Sequence, residues 1–149
     1  MFWERYHEFL TEFGKGRKMV LSTSLNDRVS SRTMSVVLIK GLFYFQTDVT
    51  FSKYQQLKSN PNVALCIDNI QIEGMCIEIG HPLKNDAFCE HFQQCFKGSY
   101  DAYTVLKNER LFAVKPIRIE RWIYKDGIPY IESFDVEAQT YEINRYIGV

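Results

Sequence analysis

Four residues in the first half of the chain have types and spacing suited to holding a phosphate monoester. Arg32 falls near the start of one extended run, Thr47 ends the next, and Ser52-Lys53 open a short helical pattern. An arginine fork, a lysine point charge, two hydroxyls and the free N–H groups of a helix start make a phosphate donor set. Taken singly, each has an ordinary reading as well: Arg32 and Lys53 as solvated charges, Ser52 as a helix cap. Their agreement around one strand–strand–helix unit is what singles them out. Other chemistries find little support. The chain holds no G-x-S-x-G, no H-E-x-x-H and no G-x-x-x-x-G-K-[S/T], and its eight glycines form no dinucleotide fingerprint. His91 and Cys95 stand at i, i+4 on a helical run with Cys89 nearby, but a tetrahedral metal site needs more ligands at fixed spacing, so no metal is expected. Cys66, Cys76, Cys89 and Cys95 lack any C-x-x-C spacing and read as small buried hydrophobes. His81, just before Pro82, reads as a turn histidine, and Tyr100, Tyr103 and Tyr124 as possible flanks of a substrate pocket.

Composition bounds the scaffold that must position these groups. The 149 residues are 46% hydrophobic, 15% aromatic and 24% charged, which excludes a disordered or fibrous chain and fits one domain. Eighteen basic residues balance eighteen acidic ones, so no electrostatic footprint for nucleic acid exists. No apolar run approaches the roughly 20 residues that cross a bilayer, and no membrane partner is expected. The opening Met1-Phe2-Trp3-Glu4-Arg5 is broken by charges at once and does not read as a signal peptide, so a soluble, cytoplasmic protein is expected.

The spacing of Trp3, Tyr6, Phe9, Leu10 and Phe13 predicts an amphipathic helix ended by Gly14 and Gly16. Strands are predicted over 19–25, 31–39 and 42–47, joined by Asn26-Asp27 and Lys40-Gly41 turns. Ser52 to Gln55 reads as a capping box opening a short helix that Asn60-Pro61 closes. Strands over 63–67 and 70–79 follow, then a helix over 85–96 with Phe88, His91, Phe92 and Cys95 on one face, and a second helical piece over 99–106. Residues 111–114 and 117–124 read as extended, with an Asp126-Gly127 hairpin before 128–134. The stretch 136–149 gives no firm signal. Strands this close, broken by short helices, indicate a mainly β protein: a six- or seven-stranded antiparallel barrel.

Five segments in order carry a resemblance to a known group. They are Ser31-Arg32-Thr33-Met34-Ser35-Val36, Tyr44-Phe45-Gln46-Thr47, Ser52-Lys53, Leu57 to Ala64 with its Asn-Pro-x-Val, and Pro116-Ile117-Arg118-Ile119-Glu120-Arg121-Trp122. Together the segments, lying between about residues 5 and 134, resemble the pyridoxamine 5′-phosphate oxidase-like FMN-binding split-barrel family, its small general stress protein and nitroimidazole reductase members above all. The resemblance implies a split β-barrel working as a homodimer, with FMN as cofactor at the interface. It places the FMN phosphate on Arg32, Ser52 and Lys53 with Thr47 and Gln46 beside them, the isoalloxazine edge along Thr33, Met34 and Ser35, and Trp122 at the flavin of the other subunit. From residue type alone, Trp122 reads more readily as a core or dimer-interface aromatic than as a flavin contact.

Two departures from that family pattern narrow the expectation. The serine is followed by Lys53-Tyr54 rather than by two basic residues. Where the vitamin oxidases carry an Arg-Leu-His-Asp-Arg type segment, this chain has Ile123-Tyr124-Lys125-Asp126-Gly127-Ile128-Pro129. The resemblance therefore implies an FMN-dependent oxidoreductase using a reduced nicotinamide or similar donor on a small-molecule substrate other than pyridoxine 5′-phosphate. No catalytic residue stands out. The rival is a non-enzymatic module holding flavin or haem on the same barrel as a sensor or store.

Overall fold

The computed structural model describes residues 1–148. Tight turns set the register of its first strands. Asn26 and Asp27 take φ of 52° and 62° and join β1 (Gly16–Leu25) to β2 (Arg28–Ile39). Lys40 and Gly41, at 50° and 82°, join β2 to β3 (Leu42–Asp48). Two consecutive left-handed residues match the twist of a tight antiparallel hairpin, as the Asn-Asp and Lys-Gly pairs suggest.

After helix α2 (Ser52–Ser59) come β4 (Asn62–Ile67), β5 (Ile70–Glu78), helix α3 (Asp86–Cys95), a π-helical turn (Tyr100–Thr104), β6 (Glu109–Lys125), β7 (Ile128–Asp135) and β8 (Thr140–Arg145). The strand order is β3-β2-β1-β4-β5-β6-β7-β8, and β3 also pairs with β6. That extra pairing closes six strands into an antiparallel barrel, which β7 and β8 extend beyond the closure: the split barrel expected from the sequence. β8 lies within 136–149, the stretch without a firm local signal.

The predicted segments 111–114 and 117–124 are one 17-residue strand. Its pairing with β5 slips between Glu73 and Gly74, so that Glu73 faces Arg118 while Gly74 faces Pro116 and Ile117 is the extra residue. A bulge of this kind accommodates a proline, which has no N–H for the ladder, and it bends the strand. A Cβ on Gly74 would meet Val114 Cγ1 at 2.6 Å and the Lys115 carbonyl oxygen at 2.8 Å, so only glycine fits this crossing.

Helix α1 (Phe2–Phe13) plugs one end of the barrel. It buries Phe2, Tyr6, Phe9 and Phe13, with Phe9 packed against Phe134 and Phe13 edge-on to Phe43. The buried stripe starts one residue earlier than predicted, which leaves Trp3 49% exposed. Arg121 fastens the plug, bonding Glu12 on the helix and buried Glu132 on β7, each at 2.7 Å. On the outer wall, α3 covers Val37 and Leu111 with Phe88 and Phe92, a second small core.

Other expectations are corrected. Ser52 is the first residue inside α2 rather than its cap; Phe51 holds the cap position and no side chain caps the helix. On α3 only Phe88 and Phe92 are buried, while His91 bonds the Ala87 carbonyl and Cys89 the Pro82 carbonyl, so the two do not converge. All four cysteines are free thiols, and Cys66 is exposed because its outward position on β4 carries nothing over it.

Candidate functional site

Alternation along β2 and β3 decides which side of the barrel wall each predicted residue occupies. On β2, Met34 and Val36 are buried and Thr33 and Ser35 lie on the opposite face; on β3, Phe43, Phe45 and Thr47 are buried between Tyr44, Gln46 and Asp48. A cleft of about 430 Å³ runs over that outer face. Thr33, Met34, Ser35, Gln46, Thr47 and Lys53 all line it, so six of the predicted residues meet in one place. Phe51, Phe92, Ser99, Tyr103 and Leu106 form the opposite wall, and Asp48 and Glu109 its floor near α2. Gln46 Oε1 accepts a bond from Thr104 Oγ1 at 3.0 Å, which ties the π-helical turn to β3 and holds that wall in place.

Thr47 is the anomaly. It is 3% exposed, and its Oγ1, fully shut off from solvent, has no hydrogen-bond partner among the described residues. A buried hydroxyl without a partner costs about 1–3 kcal/mol, a penalty that a bound acceptor or donor removes. Beside it, Lys53 makes no ion pair within 4 Å among the described residues; its ammonium stands 5.2 Å from the Phe51 ring centre. Burial, and then the positive charge of Arg32, push the Lys53 pKa below the ordinary lysine value. Lys53, Thr47 and Phe51 at the uncapped start of α2 line one volume. That donor set fits a phosphate.

Three predicted residues do not line the cleft. Arg32 turns to the barrel interior, where Nη1 donates to Thr23 Oγ1 at 2.8 Å and Nη2 to Gln56 Oε1 at 3.2 Å. Ser52 is exposed at the first turn of α2. Trp122 is 38% exposed on β6, edge-on to Tyr146 at 5.1 Å, and does not reach its own chain's cleft. His81 braces the far wall: Leu83 N–H donates to its Nδ1 at 3.1 Å, so the proton sits on Nε2, which donates to the Leu106 carbonyl at 2.8 Å.

The sequence reading missed Asp48 and Glu109. Asp48 follows Thr47 directly and was within reach. Glu109 enters only through the β3–β6 pairing, which sets it opposite Asp48 from far along the chain, and no local pattern announces that.

No protein-family profile matches the chain, and no curated protein matches it in sequence. Solved structures do. General stress protein 26 of Bacillus anthracis is 21% identical, with 94% of this chain and 97% of that one covered at a TM-score of 0.60. A pyridoxamine 5′-phosphate oxidase-related, FMN-binding protein of Nostoc punctiforme is 14% identical, with coverages of 87% and 86% and a TM-score of 0.63. The haem storage protein HutZ of Vibrio cholerae is 15% identical, with coverages of 76% and 88% and a TM-score of 0.59. The first two are of the kind that the sequence resemblance named, and at such identities the likeness carries the fold: the chain has the split barrel of the pyridoxamine 5′-phosphate oxidase-related proteins.

Proposed function

We propose that the cleft binds FMN and that the protein is an FMN-dependent oxidoreductase acting on a small molecule. The observation that carries this reading is the buried, unpartnered Thr47 hydroxyl beside the unpaired Lys53 ammonium. Thr47, Lys53 and the first N–H groups of α2 would hold the phosphate. Thr33, Met34, Ser35 and Gln46 would flank the flavin ring along the β2–β3 wall. Arg32 would reach the phosphate only by releasing Thr23 and Gln56; as placed, it adds positive charge behind Lys53. When bound, FMN supplies the hydride and electron chemistry, and the chain's residues bind, orient and exclude water.

A second copy of the chain belongs to this reading. Val20 pairs with Thr33 on one side and Cys66 on the other, so the cleft wall continues onto the outer face of β1 and β4, where Val20 and Cys66 are exposed; Met75 and Ile77 are exposed farther along β5. Burying such a face against its twin would remove apolar surface from water, and the resemblance would set each Trp122 at the flavin of the partner. Where the vitamin oxidases carry an arginine and a histidine in sequence, this chain has Lys125-Asp126-Gly127-Ile128-Pro129, so pyridoxine 5′-phosphate is not the expected substrate.

The deciding experiment is the absorption spectrum of the purified protein, with mass analysis of the released ligand. A flavin spectrum bleached by NADH or NADPH supports the oxidoreductase. A Soret band, or flavin that no nicotinamide reduces, supports the storage or sensing module instead.

A further inference from the structure

The phosphate end of the cleft carries an electrostatic conflict. Its floor pairs Asp48 directly opposite Glu109 in the β3–β6 register, and Lys53 is the one basic residue lining it. Two carboxylates and one ammonium make a poor seat for a dianion.

The two acids are not equivalent. Asp48 accepts from Thr50 N–H at 2.8 Å and from Thr50 Oγ1 at 2.7 Å, and these bonds hold its carboxyl below the usual range, so it stays charged. Glu109 is 6% exposed, and its carboxylate receives no hydrogen bond among the described residues. Burial first, and then Asp48, push its pKa up to about 7 against the opposing pull of Lys53. The other charges around it are committed elsewhere. Arg110, next along β6, donates to the Lys107 and Glu109 carbonyls, and Arg32 on β2 faces Thr23 and Gln56. From α3 and the π-helical turn the cleft receives only Phe92 and Tyr103.

We propose that Glu109 makes phosphate binding in the cleft proton-coupled, the site taking up one proton on this carboxyl when a phosphomonoester dianion enters. The protonated acid removes the repulsion and presents an O–H donor beside Lys53 and Thr47. The proposal rests on the flavin-phosphate reading and adds to it a dependence on pH. FMN should bind more weakly as pH rises, while riboflavin, which lacks the phosphate, should be indifferent.

The test is titration of the full-length protein with FMN, with riboflavin and with inorganic phosphate between pH 7 and pH 8.5. Above pH 7 the FMN phosphate, with a second pKa near about 6, is already dianionic, so its own titration contributes little. The FMN-to-riboflavin affinity ratio should fall by about tenfold across that window, as expected for one linked proton. Calorimetry in two buffers of different ionisation enthalpy should register uptake of close to one proton at the upper pH. Glu109→Gln should flatten the ratio and bind FMN about tenfold more tightly than wild type at pH 8.5. Inorganic phosphate, with its affinity referred to the dianion because its own second ionisation falls inside this window, would place the coupling at the phosphate by following the same slope; a flat dianion curve beside a sloping FMN curve would overturn that placement. A pH-independent ratio in the wild-type protein would overturn the proposal while leaving the cleft a flavin site. A slope that persists in Glu109→Gln would assign the proton to Lys53 and overturn it equally. Failure of both flavins to bind would remove the cleft's assignment, and the proposal with it.

Discussion

Replacing Thr47 by valine separates what the hydroxyl does for folding from what it does for a ligand. The change puts a methyl where Oγ1 stands, with little change of shape, at a site 3% exposed. In the free protein that oxygen has no partner, and a buried polar atom in this state costs about 1–3 kcal/mol. Thr47→Val should therefore stabilise the ligand-free protein by about 1 kcal/mol or more, raising Tm by about 2–4 °C for each kcal/mol in a chain of this size. The same change removes a donor to an anionic ligand, a contact worth about 1.5–3 kcal/mol, so FMN affinity should fall by about ten- to a hundredfold. Riboflavin affinity should hold. Scanning calorimetry of the ligand-free variant and quenching of flavin fluorescence read the two effects separately. A variant that is less stable than wild type and binds FMN unchanged would refute the reasoning, because Thr47 would then be an ordinary core residue.

Lys53→Ala should weaken FMN by about tenfold or more and leave riboflavin alone, checked in the same titration. Arg32→Ala should act first on stability, since buried Thr23 loses its 2.8 Å donor; a drop of about 1–3 kcal/mol in denaturant unfolding is expected. Gly74→Ala should cost about 1–3 kcal/mol or prevent folding, because the new methyl would lie 2.6 Å from Val114 Cγ1 and 2.8 Å from a backbone oxygen. Sedimentation at micromolar concentration should give a dimer, and Ile77→Glu, which sets a charge on a side chain 62% exposed in the single chain, should yield monomers with little loss of stability. In the ligand-free protein Glu109 prefers its neutral form, so its stabilising contribution is complete below the ordinary carboxylate pKa and is lost as pH rises through about 7; Glu109→Gln should remove that part of the stability–pH curve.

Local signals predicted most of the elements. Turn residues with positive φ at Asn26-Asp27, Lys40-Gly41 and Asp126-Gly127 marked the hairpins, and the aromatic spacing marked α1. What escaped was set by distant pairing. Pro116 divided β6 in the sequence, but the bulge opposite Gly74 lets one strand run through it. Thr140 to Arg145 alternates only Tyr141 and Ile143 with polar residues, too short a pattern to stand alone, and is a strand because β7 offers an edge. The cleft was legible where β2 and β3 carry it, in Thr33 to Ser35 and Gln46-Thr47. Glu109 was hidden because its partner Asp48 lies 61 residues earlier. Arg32 was found but not its direction, since the preference of its guanidinium for Thr23 and Gln56 depends on α2 crossing the barrel end.

Strand β6 ladders with β3, β5 and β7 at once. The hairpins β1–β2, β2–β3 and β4–β5 can form from neighbours in the chain, but the ring shuts only when Glu109–Val114 reaches Phe43–Asp48. Closing so long a loop costs entropy before any contact repays it, which places this step late on the folding route and makes it slow relative to the hairpins. Until then β3 presents a bare edge and Phe45 lacks its stacking partner Phe112. That unfinished state, an open sheet with an apolar inner surface, is where aggregation competes with folding, and substitutions along β6 would be felt there even when the finished barrel tolerates them.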